Sequence, residues 1–312
     1  MAFHPRNTHQ GHYNLGALVA ANPALKALIV RTPTGDKTLD FADPVAVKEL
    51  NRALLQLHYD VQHWAIPEGY LCPPVPGRAD LIHTLADLLG ESHDGRIPEG
   101  PGLVGLDIGT GANLIYPLIG QSAYGWRFVG SDIDQTALMN ASATLNANPK
   151  LQALIELRLQ PDPQQLFSGI IGSDERFDFS LCNPPFHANK GEANAATQRK
   201  WNNLNKASDG EPETRLNFGG QSSELICTGG EAGFLGRLIN QSALHATQVF
   251  WFSALVSKAS LVKDLQAQLK AVGARDIRVM PMAQGQKSSR LLAWTFLDKK
   301  QRRAWRKARW PQ

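Results

Sequence analysis

The chain has 312 residues, of which 43% are apolar and 19% are charged, with a formal net charge of +4. These proportions are typical of a globular protein that is long enough to bury a core. No apolar run approaches the roughly 18 residues of a membrane-spanning helix, and the polar start has no secretion signal, so we expect a cytoplasmic location. The three cysteines are scattered along the chain, which argues against a disulfide framework and a zinc site; no metal is expected.

The first region, residues 1–76, is predicted to be mainly helical and to bind RNA. A helix is expected over residues 12–29, followed by a hairpin that turns at Thr34-Gly35-Asp36. A second helix is predicted to begin after the N-cap Asp43 and to end near His58. Arg6 is the candidate RNA contact here, and the Pro- and Gly-rich residues 66–77 indicate a linker.

The second region, residues 77–298, alternates apolar strands with amphipathic helices. This alternation predicts an α/β fold, a Rossmann-like seven-stranded sheet with helices on both faces and an antiparallel hairpin at one edge. The five strands before the hairpin are predicted in LVGLDIG, RFVGSDI, LIELRLQ, FDFSLCN and VFWFSALV, and the hairpin in DIRVMPM and RLLAWTF. Helices are predicted over residues 78–89, 134–147, 231–246 and 259–272.

A long polar stretch, residues 187–223, interrupts this region. A polar loop of that length inside a compact domain is usually functional or disordered. Since it directly follows a proline pair at the end of the fourth strand, we expect it to overhang the site. Arg199 and Lys200 within it are candidate RNA contacts.

The third region, residues 299–312, carries most of the basic charge. The sequence DKKQRRAWRKARWPQ holds seven Lys or Arg residues and one Asp, together with Trp305 and Trp310. Cations interleaved with aromatic rings are typical of segments that neutralise phosphates and stack on bases. We therefore expect Arg302, Arg303 and Arg306 to contact RNA; the alternative is a solvated helix end.

A glycine-containing loop, GLDIGTGAN at residues 105–113, follows the first strand of the sheet. Gly109 and Gly111 allow the backbone to turn tightly and to approach a ligand closely. Asp107 and Thr110 belong to the same loop. These four residues are candidate contacts of a bound cofactor.

The type of cofactor follows from two further residues. Asp132 ends the second strand, 23 residues after Gly109, at the spacing of an acid that binds ribose hydroxyls. The dinucleotide fingerprint has a third Gly or Ala that seats the pyrophosphate, but this chain has Leu114 at that position. A nucleoside cofactor without phosphate fits better, and S-adenosylmethionine is the expected one.

The fourth strand ends in the sequence Cys182-Asn183-Pro184-Pro185-Phe186. Proline has no N–H for a β ladder, so the strand stops here, beside the glycine loop. Asn183 Oδ1 and the Pro184 carbonyl are two acceptors that can hold the N–H bonds of an exocyclic amino group, and Phe186 can stack on the base. With the acceptors fixed before the substrate arrives, the nitrogen lone pair faces an incoming methyl group.

The motifs DIGTG, SDID and CNPPF resemble the class I amino-methyltransferases that carry an Asn/Asp-Pro-Pro-aromatic motif. More closely, FHPRNTHQGHYNL, PGRADLIHTLADLL, DIGTGANLIYPLIG, CNPPFHANKGEA and TGGEAGFLGRLI are similar to the bacterial 23S ribosomal RNA adenine-N6 methyltransferase F family, which is related to the eukaryotic methyltransferase-like sixteen enzymes. The similarity spans roughly residues 4–298. It implies methylation of one adenine, position 1618 of 23S ribosomal RNA, and places Arg78, Gly109, Asp132 and Asn183 around S-adenosylmethionine.

Two alternative functions remain open on the sequence. A protein glutamine N5-methyltransferase would use the same two acceptors on an amide nitrogen. A non-catalytic RNA-binding protein would keep the fold without the chemistry, although the intact Asn183, Gly109 and Asp132 argue against it. The basic segment and the resemblance favour methylation of ribosomal RNA.

Overall fold

The computed structural model describes residues 3–189, 191, 220–284 and 287–310. Its helices are α1 (Leu15–Ala21), α2 (Pro44–Tyr59), α3 (Val75–Glu91), α4 (Ile115–Tyr124), α5 (Gln135–Asn146), α6 (Pro149–Gln152), α7 (Ser222–Leu225), α8 (Gly230–Ser242), α9 (Val262–Ala271) and α10 (Lys299–Arg309). Its strands are β1 (Ile29–Arg31), β2 (Lys37–Leu39), β3 (Val104–Ile108), β4 (Arg127–Asp132), β5 (Ile155–Leu159), β6 (Phe177–Cys182), β7 (Val249–Val256), β8 (Asp276–Gln284) and β9 (Lys287–Thr295).

Seven strands form one sheet in the order β5-β4-β3-β6-β7-β9-β8. The first five in that order are parallel, and β9 and β8 add an antiparallel edge hairpin. The predicted α/β architecture is therefore confirmed. Ile108 pairs with Ser131 on β4 and with Cys182 on β6, so the carboxyl ends of these three strands meet at one edge.

The N-terminal part differs from the predicted helix over residues 12–29. α1 ends at Ala21, and a 3₁₀ helix over Pro23–Leu28 follows it. Pro23 has no N–H to continue an α-helix, and a proline at that position begins the new turn. The predicted hairpin is confirmed as β1 and β2, and α2 is capped as predicted, with Asp43 Oδ1 accepting the Val45 N–H at 2.8 Å.

The stretch predicted to be a linker, residues 66–77, is packed against the rest of the chain. Ile66, Cys72 and Pro73 are buried, and α3 begins at Val75, three residues before the predicted start. One continuous core joins Leu18 and Leu54 of the N-terminal region to the ring of Phe179 on β6. A second core on the other face of the sheet contains Phe252 and packs under α8 and α9.

No helix in the described ranges is long and apolar enough to cross a membrane. In the same ranges, no group of three or more His, Cys, Asp or Glu side chains is arranged to hold a metal ion. Arg199 and Lys200 lie outside the described residues, as does most of the predicted insertion over residues 187–223.

Candidate active site

The loop after β3 has the backbone shape that its glycines predict. Gly109 and Gly111 have φ values of +74° and +66°, which residues with a side chain rarely adopt. The Gly109 and Thr110 N–H groups both donate to the Ser131 carbonyl, at 2.9 and 3.0 Å, and fasten the loop to β4. A Cβ atom built on Gly109 would have no heavy atom within 4 Å, so a ligand has room against this backbone.

Asp132 ends β4 beside this loop. Its Oδ2 accepts the Gly111 N–H at 2.8 Å, and its Oδ1 accepts the Asp134 N–H at 2.9 Å. Burial raises the pKa of this carboxyl group, and the backbone donors offset part of that rise. Each carboxylate oxygen keeps a further lone pair for a hydroxyl donor, as the ribose-binding prediction requires.

Asp107 lies behind the loop rather than on the cavity surface. Thr110 Oγ1 donates to its Oδ2 at 2.8 Å, and its Oδ1 is buried with no hydrogen-bond partner in the described part of the chain. Burial raises the pKa of Asp107 to about 7. Its contact with Thr110 fits a residue that holds the loop in shape.

Arg78 lies in the first turns of α3 and lines the cavity. It is buried, with 8% of its surface exposed. Its Nη1 donates to Tyr116 Oη at 2.8 Å, and its guanidinium lies 5.5 Å from the centre of that ring. Tyr116 thereby fixes the guanidinium in place, and further N–H groups of Arg78 remain for a carboxylate ligand.

Asn183 follows the last residue of β6 and lines the same cavity. Its Oδ1 is buried and has no hydrogen-bond partner among the described residues. A buried acceptor without a donor costs free energy, and Asn183 lines the cavity, which indicates that a ligand donates to its Oδ1. Pro185 also lines the cavity, whereas Pro184 is buried and Phe186 is half-buried, and neither is part of the lining.

The cavity has a volume of about 270 Å³ and opens at the carboxyl edge of the sheet. Six predicted cofactor contacts line it: Arg78, Gly109, Thr110, Gly111, Asp132 and Asn183. Residues 160 and 163–166, between β5 and β6, form a further part of the lining. The glycine cradle, the acid at the end of β4 and the Asn183 oxygen, which has no partner within the described ranges, fit an adenosyl cofactor beside an amino substrate.

Sequence reasoning missed Tyr116, Glu224 and Arg237, which also line the cavity. Glu224 and Arg237 follow the polar insertion, and they reach the site because the chain returns across it. The backbone carbonyl of His187 accepts a hydrogen bond from the Cys227 N–H, and the backbone N–H of His187 donates to the Leu225 carbonyl. Both distances are 3.0 Å. The available sequence signal for Glu224 and Arg237 was the stretch TGGEAGF. Nothing in the sequence indicates that this stretch lies beside the Asn-Pro-Pro-Phe loop.

The N-terminal candidate Arg6 is engaged within the protein. Its Nη2 lies 2.6 Å from Asp87 Oδ1 and 3.0 Å from the His83 carbonyl, and its Nε donates to Tyr124 Oη at 3.0 Å. His4 also contacts Asp87, at 2.8 Å. These contacts tie the first residues to α3.

The basic segment forms α10, which lies across the amino ends of the parallel strands. The indole N–H groups of Trp305 and Trp310 both donate to Asp178 Oδ1, at 2.7 Å, and Trp310 is buried. The expectation that these two rings stack on bases is therefore wrong for this arrangement, because both are packed against Phe250. Arg309 also reaches Asp178, at 3.1 Å.

The three predicted RNA contacts in α10 differ in their surroundings. Arg302 pairs with Asp276 at 3.0 Å, and Arg306 lies 3.7 Å from Asp94. Arg303 is exposed. The helix therefore docks through one face and leaves cations on the other.

Comparison with known proteins gives consistent results. A family model described as RNA methyltransferase matches residues 1–298. The ribosomal RNA large subunit methyltransferase F of Pseudomonas aeruginosa PAO1 is 61% identical over 307 residues, which are 98% of this chain and 91% of that protein. The protein of the same name from Stutzerimonas stutzeri A1501 is 53% identical over 309 residues, 99% and 94% of the two chains.

Solved structures show the same fold. The catalytic domain of human METTL16 in complex with a MAT2A 3′UTR hairpin aligns with a TM-score of 0.80 and 29% identity, over 96% of each chain. The N-terminal domain of human METTL16 in complex with SAH aligns with a TM-score of 0.75 and 26% identity, over 96% of this chain and all of the other. The predicted methyltransferase fold and the predicted resemblance are both confirmed.

Proposed function

The chain belongs to the RNA methyltransferase family, and from this premise we propose that it methylates the N6 nitrogen of one adenine in 23S ribosomal RNA. The relatives at 53–61% identity are named for the ribosomal RNA of the large subunit and cover almost the whole chain. The observation that carries the proposal is that Asn183 lines the cavity while its buried Oδ1 has no hydrogen-bond partner among the described residues. We also propose a cytoplasmic location, where the enzyme would meet a ribosomal RNA substrate.

We assign the cofactor end of the cavity to S-adenosylmethionine, which supplies an electrophilic methyl group on its sulfonium. Asp132 would accept the ribose hydroxyls, and Arg78 would hold the carboxylate of the amino-acid end. The backbone of Gly109 and Gly111 would lie against the ligand, and Thr110 would support this loop through Asp107. Residues 160–166 would contact the adenine ring of the cofactor.

The substrate end is assigned to the Asn-Pro-Pro-Phe loop. Asn183 Oδ1 accepts one N–H of the adenine amino group and the Pro184 carbonyl accepts the other, so the nitrogen lone pair points at the methyl group. Bound S-adenosylmethionine would supply the methyl group to this nitrogen, and the extra proton of the methylated amino group would be released to water. The adenine must leave its stack to reach this loop, where Phe186 can stack on it.

We also propose the surface that binds RNA, and contacts within the protein reduce the number of basic residues that can form it. Arg6, Arg302 and Arg306 face acidic partners, which reduces the charge they offer to phosphates. On the exposed face of α10, Lys299, Arg303 and Lys307 recur every four residues, and no ion pair holds them within the described chain. We propose this row as a phosphate contact, together with Arg199 and Lys200.

The row lies at the edge of the sheet opposite to Asn183. Residues 178–182 of β6 separate these edges, and at about 3.3 Å per residue they span on the order of 15 Å. An RNA that contacts both must extend around the protein. A large structured RNA meets this requirement more readily than a short peptide, which favours RNA over a glutamine substrate.

The experiment is methyl transfer from labelled S-adenosylmethionine, with 23S ribosomal RNA and release factors as competing acceptors. Label is expected in the RNA, and nucleoside analysis is expected to show N6-methyladenosine. Asn183→Ala serves as the inactive control in the same assay. Label in the protein acceptor, or in a nucleoside other than N6-methyladenosine, would contradict the proposal.

A further inference from the structure

Residues 220–227 cross the mouth of the cavity and are tied on two sides. The Gly220 N–H donates to the Gly69 carbonyl at 2.8 Å, ahead of α3. On the other side, Cys227 and Leu225 pair with His187 in the loop after Asn183. Any side chain that this crossing segment directs into the cavity therefore lies between the cofactor loop and the substrate loop.

Glu224 lies in this segment and lines the cavity. Its Oε2 accepts the N–H groups of Gln221 and Leu71, at 2.8 and 3.0 Å. These two bonds fix the carboxylate, while its Oε1 has no hydrogen-bond partner within the described residues and lies 3.7 Å from the Cβ position of Gly111. Glu224 thus presents one anchored oxygen and one available oxygen beside the glycine loop.

The negative charges around Glu224 favour the binding of a cation there. Burial raises the pKa of its carboxyl group, and the charges of Asp132 and Asp134 add to the rise. Among these acids, Asp134 already accepts the Tyr70 hydroxyl at 2.8 Å and caps α5, and Asp132 accepts backbone N–H groups on both oxygens. A positively charged ligand group at Glu224 would relieve the repulsion among the three.

The amino-acid end of the proposed cofactor carries both a carboxylate and an ammonium. Arg78 provides a cation for the carboxylate, and Glu224 is the matching anion on the same cavity. We propose that Glu224 Oε1 accepts a hydrogen bond from the α-ammonium of the cofactor, an assignment that rests on the proposed function. The cofactor would then connect the crossing segment to the glycine loop.

Three ligands separate this role from others: S-adenosylmethionine, S-adenosylhomocysteine and 5′-methylthioadenosine, which lacks the amino-acid end. A charge-assisted hydrogen bond of this kind corresponds to roughly tenfold to a hundredfold in affinity. Calorimetry on Glu224→Gln is expected to show that loss for the first two ligands and less than about a threefold change for the third. Glu68→Gln, the same change at an exposed residue in the neighbouring turn, is the matched control.

Other results would overturn the assignment. Equal losses for all three ligands would show that Glu224 only shapes the cavity, and a loss confined to S-adenosylmethionine would place the sulfonium at Glu224 instead. Unchanged affinity for every ligand would also contradict it. Failure of the unaltered protein to bind any adenosyl ligand would refute the proposed function itself, which keeps the two failures distinct.

Discussion

Asp132 and Asn183 each stand one residue beyond the partner of Ile108, on the two strands that flank β3. Their side chains therefore border the glycine loop from opposite sides. Under the proposed roles, this register would put the ribose acceptor on one side of the cavity and the amino-group acceptor on the other.

Asp132→Asn is expected to weaken S-adenosylhomocysteine binding by about tenfold to a hundredfold, because charge-assisted hydrogen bonds to ribose become neutral ones. The amide keeps the shape of the side chain and an oxygen for the Gly111 N–H. Calorimetric titration measures the change. Affinity within twofold of the unaltered protein would place the ribose elsewhere.

Asn183→Ala is expected to lower single-turnover methylation of RNA by about a hundredfold or more, the range of a lost positioning contact. Affinity for S-adenosylhomocysteine should change by less than about threefold, since the amide serves the substrate. Rapid-quench kinetics at saturating RNA and cofactor measure the chemical step. A rate within threefold of the unaltered enzyme would refute the role of Asn183.

The stability of the protein is expected to fall as the pH drops from about 6.5 towards 4, in part through His9. Burial, with the nearby His58 and His83, lowers the pKa of His9 from 6.5 to about 4. The unfolded chain therefore binds a proton at His9 in this window, whereas the folded chain does not. Each such histidine adds about 1.4 kcal/mol of unfolding free energy per pH unit as the pH rises.

Denaturant unfolding of His9→Gln at pH 4.5, 5.5 and 6.5 tests this contribution. Gln keeps a polar partner for the Tyr59 hydroxyl, which His9 contacts at 2.8 Å. The slope of unfolding free energy against pH should decrease by about one proton relative to the unaltered protein. His12→Gln changes an exposed histidine and serves as the control. Parallel slopes for the unaltered and His9→Gln proteins would show that His9 titrates normally.

Replacement of Lys299, Arg303 and Lys307 by Gln is expected to flatten the salt dependence of RNA binding. Each phosphate contact contributes about −0.7 to −0.9 to the log–log slope, so the loss of three should change it by roughly two to three units. The helix should remain docked, because all three residues are exposed and none forms an ion pair in the described part of the chain. Affinities measured between about 50 and 300 mM salt report the slope.

The matched control for this experiment neutralises Lys258, Lys263 and Lys270, which are exposed on another side of the protein. This control removes the same total charge. A difference between the two triple variants therefore reports the position of the charges and not the net charge of the protein. If both triple variants lower the slope equally, the row on α10 has no special contact with RNA.

Asp178→Asn is expected to destabilise the fold by about 1–3 kcal/mol, because the neutral amide loses the charge-assisted hydrogen bonds that the buried carboxylate accepts. Asp178 is fully buried and faces Arg309 as well as both indole N–H groups. Urea unfolding measures the difference, with the exposed Asp174→Asn as control. A change below 1 kcal/mol would show that α10 docks through its aromatic rings alone.

Much of the fold was predictable because the alternation of strands and helices is regular from Leu103 onwards. Apolar strands flanked by glycine or capping residues define their own ends, so Asp132 and Asn183 were placed correctly at the carboxyl edge. The interruption at Pro23 was also visible in the sequence, although the alanine-rich surroundings masked it. The burial of Cys72 depends on contacts with α2, such as the bond from Asn51, which local sequence does not encode.

A site residue was predictable from the sequence where it belongs to a recognisable motif at the end of a strand. Gly109 and Asn183 belong to such motifs, whereas Glu224 comes from a segment that reaches the cavity only through the tertiary fold. Tyr116 follows the glycine loop directly, but its role depends on Arg78, which α3 brings to it. The basic segment shows the opposite error. Its composition suggested free cations and rings, but the buried Asp178, distant in sequence, binds one face of the helix.

The docking of α10 also sets an order on folding. Besides the Val104 N–H on β3, the partners of Asp178 lie 127 to 132 residues further along the chain, so they are synthesised long after β6. Until they arrive, β6 must bury a carboxylate that lacks its cation and its indole donors, or keep that end exposed to water. A contact so distant in sequence slows folding, and the nascent sheet would remain open at its amino edge, accessible to chaperones, until α10 closes it.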